Sequence, residues 1–172
     1  MYPSHTGFAR TLYFRHDEIE YGVPFENYQA CLKEVRELLI RRRFPTIVEV
    51  RFTPNVSQSL LGPGSGRRTA YLELAPSMSR PTDPIFAEFE KIVLSFGGRP
   101  HLGKKVYFRP DQIGSFYLPE TIRSFHRVRM DQDPKGKFWN VFCEARFGGG
   151  LNEGITSVGP KVPALMMSSH GL

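Results

Sequence analysis

Asp83-Pro84-Ile85-Phe86-Ala87-Glu88-Phe89-Glu90-Lys91-Ile92-Val93-Leu94-Ser95-Phe96-Gly97-Gly98 is a helix written with both its ends. Asp83 is a good N-cap, Pro84 a good first helical residue, and Gly97-Gly98 a stop. Between them Ile85, Phe86, Phe89, Ile92, Val93 and Phe96 form a continuous apolar face at helical period. Such a face needs a surface to cover, and the residues ahead of it supply one. Ala70, Leu72 and Leu74 alternate with Thr69, Tyr71 and Glu73, while Val48, Val50 and Phe52 alternate with Ile47, Glu49, Arg51 and Thr53. A period of two marks two strands. The turn-rich Gly62-Pro63-Gly64-Ser65-Gly66 joins them.

Further out, a second helix is expected over Glu26 to Arg43. There Cys31, Val35, Leu38 and Leu39 fall at i, i+4, i+7 and i+8, Pro24 sits just ahead, and Arg41, Arg42 and Arg43 suit the negative end of the helix dipole. Thr11 to Phe14 and Glu18 to Val23 read as a bent or paired strand, and Lys104 to Phe108 as another. The order strand, helix, strand, strand, helix, strand is the split βαβ, ferredoxin-like α+β arrangement: one antiparallel sheet with helices on one face. Ile122, Phe125, Val128 and Arg129 indicate a third helix near 120–131, which Asp133-Pro134 would end. From Gly148 the chain carries Gly148, Gly149, Gly150, Gly154, Gly159 and Gly171, and is expected to be disordered. The expected division is a domain over 1–146 and a tail over 147–172.

Composition bounds the rest. At 172 residues, 40% hydrophobic and 23% charged, the chain has enough substance for one domain with a core of its own. A net charge of +6 favours acidic partners without selecting one. Cys31 and Cys143 match no CxxC spacing, so no metal site is expected, and they suit reduced thiols. No run approaches the ~18 apolar residues of a membrane span. Met1-Tyr2-Pro3-Ser4-His5 lacks the basic and apolar regions of a signal peptide. The expected setting is cytoplasmic, or peripheral to a membrane.

Chemistry-bearing residues cluster in two places. Glu49 and Arg51, two apart on one strand, project from the same face. They are either a surface ion pair or a donor–acceptor pair that orients neighbouring hydroxyls. Gly97-Gly98-Arg99-Pro100-His101-Leu102-Gly103-Lys104 places an imidazole and an ammonium three residues apart. This is either a basic helix-to-strand connection or a pair that stabilises developing negative charge. The Gly62–Gly66 loop joins two strands and has no helix after it, which argues against a phosphate site. Lys135-Gly136-Lys137-Phe138-Trp139-Asn140-Val141-Phe142 faintly resembles an RNA-recognition motif but follows the last expected helix.

Gly97 to Lys104 closely resembles the Gly-Gly-Arg-Pro-His-Trp-Gly-Lys signature of aldonolactone oxidases, the flavoenzyme family of D-arabinono-1,4-lactone, L-gulonolactone and alditol oxidases. Glu20-Tyr21-Gly22-Val23-Pro24 is similar to that family's Glu-Tyr-Ala-Ile-Pro element, and Val48-Glu49-Val50-Arg51-Phe52 to its Glu-x-Arg strand. Thr69-Ala70-Tyr71-Leu72 matches the next strand. Asp133-Pro134-Lys135-Gly136-Lys137-Phe138 with Asn140 resembles its closing Asp-Pro-x-Gly-x-Phe-x-Asn. These motifs keep the family's order from Glu18 to Asn140.

The resemblance implies the C-terminal domain that caps a sugar over FAD. It implies hydride transfer from a carbinol carbon to the flavin, with reoxidation by oxygen to give hydrogen peroxide. It assigns Glu49 and Arg51 to substrate hydroxyls, Lys104 to the reacting oxygen, and His101 to the flavin ring. The substrate would be a sugar lactone or alditol, and the partner an FAD-binding domain in cis or in trans. That domain, expected upstream, is not within these residues, so the chain alone is expected to be inactive. Leu102 replaces the usual Trp, and Glu73 and Ala75 stand where the family often carries a site His. The alternatives are a non-catalytic fragment or interaction module that keeps the fold, then a basic nucleic-acid-binding domain. No nucleic-acid partner is expected.

Overall fold

A computed structural model describes residues 15–55 and 59–148. The strand expected over Thr11 to Phe14 and the tail beyond Gly148 lie outside the described residues. The chain divides after Tyr107 into two compact units.

In the first unit, β1 (Ile19–Pro24) leads through a 3-10 turn (Phe25–Asn27) into α1 (Tyr28–Arg41), followed by β2 (Ile47–Thr53), β3 (Thr69–Ala75), α2 (Asp83–Ser95) and the short β4 (Arg99–Pro100). The strands form one antiparallel sheet in the order β2-β3-β1-β4. This is the ferredoxin-like α+β fold that the element order predicts.

The register sorts the side chains. Ile19 pairs with Leu74, Tyr21 with Leu72 and Val23 with Ala70, and on the other side of β3 Val50 pairs with Leu72 and Phe52 with Ala70. These apolar rows share one face, because successive residues of a strand alternate. The core joins the β1 and β3 residues of these rows to Cys31, Val35 and Leu38 of α1 and to Ile85, Phe86, Phe89 and Val93 of α2. The other rows are polar. Glu49 pairs with Glu73 and Glu73 with Glu20, while Arg51 pairs with Tyr71 and Tyr71 with Gly22.

The two ends of α2 differ in how closely they follow the sequence pattern. The glycine stop forms as expected: Gly97 has φ +75°, its N–H donates to the Leu94 carbonyl, and Gly98 N–H donates to the Val93 carbonyl at 2.8 Å. That is the double bond of a left-handed C-terminal cap. Asp83, however, is not the N-cap. Thr82 holds that position, and its hydroxyl donates to Asp17 Oδ2 at 2.7 Å.

The strand expected at Lys104 to Phe108 is not formed. The edge pairing with β1 ends at Tyr21 opposite Pro100, closed by the His101 N–H donating to the Glu20 carbonyl. A turn follows, in which Lys104 N–H donates to the His101 carbonyl, and Lys105 N–H returns to the Glu18 carbonyl. Tyr107 N–H donates instead to the buried Glu90 carboxylate at 2.7 Å, and Tyr21 Oη donates to the same oxygen. Lys105 Nζ reaches Asp17 at 2.8 Å and Asp83 at 3.2 Å, and Tyr107 Oη donates to Asp83. Side chains of α2, together with Asp17, therefore hold this segment in place of a ladder.

The second unit holds a 3-10 stretch (Pro110–Ser115), α3 (Pro119–Gln132) and α4 (Val141–Phe147) around Phe108, Ile113, Phe116, Ile122 and Phe147. Helix α3 is the third helix expected from the apolar period. Asp133 accepts from the Lys137 and Phe138 amides, and Asn140 Oδ1 accepts from the Cys143 amide to cap α4. The Lys135–Phe142 stretch is thus a turn and a capped helix start, not a sheet strand. Both cysteines are free; burial, with Glu34 beside it, pushes the Cys31 thiol up to about 12. Among the described residues no helix is long and apolar enough to cross a membrane.

Candidate functional site

The polar face of the sheet collects the residues that the sequence singled out. β2 presents Glu49 and Arg51, and the turn after β4 presents His101 and Lys104. The register adds Glu20 and Glu73, because the row Glu49–Glu73–Glu20 crosses three neighbouring strands. His101 N–H donates to the Glu20 carbonyl, which sets the imidazole at the end of that row.

Arg51 is the hub. Its Nη2 donates to Glu20 Oε1 and to Glu73 Oε2 at 2.8 Å, while Nε lies 3.5 Å from Glu49 Oε1. One carboxylate thus comes from each of β1, β2 and β3. The side chains of Glu20 and Glu73 are only 2% and 9% exposed, whereas Arg51 is 47% exposed, so the guanidinium bridges buried charge and solvent. Burial works to lower the Arg51 pKa, but the Glu20 hydrogen bond and the charges of Glu20, Glu73 and Glu49 outweigh it and raise it. A guanidinium has five N–H donors. Both on Nη2 are taken, and no described residue accepts from Nη1.

His101 and Lys104 are oriented as definitely. The Gly103 amide donates to His101 Nδ1 at 3.2 Å, which in the neutral ring leaves the proton on Nε2. Nε2 lies 4.0 Å from Glu20 Oε2, and the imidazole is 43% exposed. Lys104 Nζ pairs with Glu18, whose other oxygen accepts from His16; the Lys104 bond, more than the His16 one, holds the Glu18 carboxyl below its usual range.

The Gly62–Gly66 loop walls one end of this face. Pro63 packs so close to β1 that a Cβ on Gly22 would stand 2.7 Å from Pro63 Cβ, and a Cβ on Gly64 would stand 3.3 Å from Tyr71 Oη. Its amides face inward: Ser65 N–H donates to the Gly62 carbonyl and Arg67 N–H to the Gly64 carbonyl. Arg67 and Arg99 pin its carbonyls at Pro63 and Ser65. A phosphate needs free amides, and those two are not free. The described amides of this loop therefore do not fit a phosphate. Among them no metal-binding cluster of His, Cys, Asp or Glu is present.

Sequence reasoning named Glu49, Arg51, His101 and Lys104 and did not place Glu20 or Glu18 in the site. Glu73 entered only as the occupant of a family position. Their signal was a Glu at alternate positions of paired strands, visible once the register is known.

The class of protein is thus a ferredoxin-like α+β domain with a carboxylate-rich sheet face organised around one arginine. The D-arabinono-1,4-lactone oxidase family matches residues 1–146, and the chain belongs to that family of oxidoreductases. It is 32% identical over 143 residues to the L-gulono-1,4-lactone dehydrogenase of Mycobacterium tuberculosis (strain CDC 1551 / Oshkosh), a match covering 82% of this chain and 33% of that protein. The L-gulonolactone oxidase of Mus musculus is 28% identical over 155 residues, with 84% and 34% covered. That of Scyliorhinus torazame is 26% identical over 143 residues, with 78% and 31% covered. The chain spans about a third of the length of these curated relatives.

Proposed function

We propose that residues 1–146 form the substrate-side, C-terminal domain of an FAD-linked aldonolactone oxidase, with 147–172 as a tail outside it. The observation that carries this reading is Arg51, gripped by carboxylates from three strands, with Nε near Glu49 and Nη1 claimed by no described residue. Paired donors and acceptors held rigidly suit the hydroxyls of a sugar lactone or alditol. When bound, FAD supplies the hydride acceptor, and oxygen reoxidises it to give hydrogen peroxide. This chain's residues do the rest. Glu49 accepts from substrate hydroxyls, Arg51 donates to them, and His101 lies against the flavin ring. Lys104, steadied by Glu18, places its ammonium at the oxygen of the reacting carbon, where charge changes during reaction.

The phosphates of FAD need a domain supplied in cis or in trans. Purified residues 1–172 are accordingly expected to be colourless and inactive, and to oxidise lactone once a family FAD-binding domain is added. Peroxide release and dye reduction with D-arabinono-1,4-lactone and L-gulono-1,4-lactone read the activity. Lys104→Ala then lowers kcat more than it raises KM, and Arg51→Lys mainly raises KM. Stoichiometric flavin and turnover by the chain alone, or full activity in both variants, would contradict the reading.

A further inference from the structure

We infer that Glu73 is a substrate-contacting, specificity-determining residue: its free carboxyl oxygen accepts a hydroxyl of the sugar beside Arg51 Nη1. The inference rests on the sugar-site reading above and deepens it.

Three observations support it. Glu73 lies in register between Glu49 and Glu20, on the same face as Arg51, at the middle of the row. Its Oε2 is occupied by Arg51 at 2.8 Å, while Oε1 accepts from no described residue. The Arg51 Nη1 donors are likewise claimed by no described residue, so the guanidinium that holds Glu73 Oε2 keeps donors of its own for a ligand. A hydroxyl both donates and accepts, and a site offering each partner selects it over an apolar group.

The charge state gives the role a signature. Burial holds the Glu73 carboxyl above the usual carboxylate range; Lys104 and Arg51 oppose this, and Glu20 and Glu18 reinforce it. Glu49 and His101 complete the titratable groups facing it along the row. As pH falls through that raised range, Glu73 gains a proton and becomes the poorer acceptor. Sugar affinity that depends on Glu73 therefore drops on acidification. A variant with nothing to titrate at this position lacks that component.

The test is a lactone titration of residues 1–172 followed by NMR, with D-arabinono-1,4-lactone as the probe. Wild type, Glu73→Gln, Glu49→Gln and Arg51→Lys are compared at neutral and mildly acidic pH, with thermal melts to establish folding. Glutamine keeps the size of Glu73 and an oxygen for Arg51 but removes the charge. The expected result is saturable binding by wild type that weakens on acidification. Glu73→Gln should bind about tenfold more weakly at neutral pH, the worth of one hydrogen bond to a charged group, with a flatter pH profile. If Glu73→Gln matches wild type in affinity and pH profile while Glu49→Gln and Arg51→Lys lose binding, the Glu73 inference is overturned and the sugar site stands. No saturable binding by folded wild type would overturn the sugar-site reading, and this inference with it.

Discussion

Glu49 and Arg51 were legible as a pair because two residues on one strand share a face whatever the strand pairs with. Glu20 and Glu73 were not, since a cross-strand neighbour depends on register and register depends on the whole sheet. Their recovery changes what Arg51 does. Beside the substrate role proposed for it, it neutralises two carboxylates that the fold buries. Arg51→Ala should therefore cost stability as well as binding, because it removes the one cation bonded to both Glu20 and Glu73 among the described residues. Breaking a fully buried pair costs about 3–5 kcal/mol, and the half-exposed guanidinium puts this one near the lower end. Urea unfolding checks it: Glu20→Gln/Arg51→Ala should regain part of the loss. An Arg51→Ala variant as stable as wild type would show that these charges are not coupled.

At the scale of elements, α1, α2 and α3 were readable because their apolar residues keep helical period over several turns. The last strand was misplaced because alternation in Lys104 to Phe108 says nothing about Asp17, Asp83 and Glu90, which draw that segment to α2. Helix α4 has seven residues, too few for a period to declare itself. Gly22 shows how close contact between elements shapes the site. Its missing side chain leaves room for Pro63 and for Thr69 Cγ2, each 2.7 Å from where a Cβ would be. Gly22→Ala should push the Gly62–Gly66 loop off the sheet, at a cost of about 1–3 kcal/mol for overpacking. Thermal unfolding measures the cost, and hydrogen exchange at the Ser65 and Arg67 amides reports the displacement. Unchanged protection at both amides would contradict it.

For the molecule as a whole, net charge was a poor guide to the local charge of the candidate site. The chain carries +6, yet around Arg51 and Lys104 stand Glu18, Glu20, Glu49 and Glu73. Two fixed cations face four carboxyl groups, so the local field opposes anions although the average charge attracts them. A neutral, hydroxyl-rich ring suits such a face; the open-chain aldonate formed by hydrolysing the same lactone does not. The most direct measurement compares these two molecules, D-arabinono-1,4-lactone and its aldonate, by following the Arg51 guanidinium and His101 ring NMR signals of residues 1–172. Lactone should move both signals to saturation, and aldonate at equal concentration should leave them in place. Aldonate binding at Arg51 more strongly than lactone, or lactone shifts confined to other residues, would contradict a neutral-sugar site on this face.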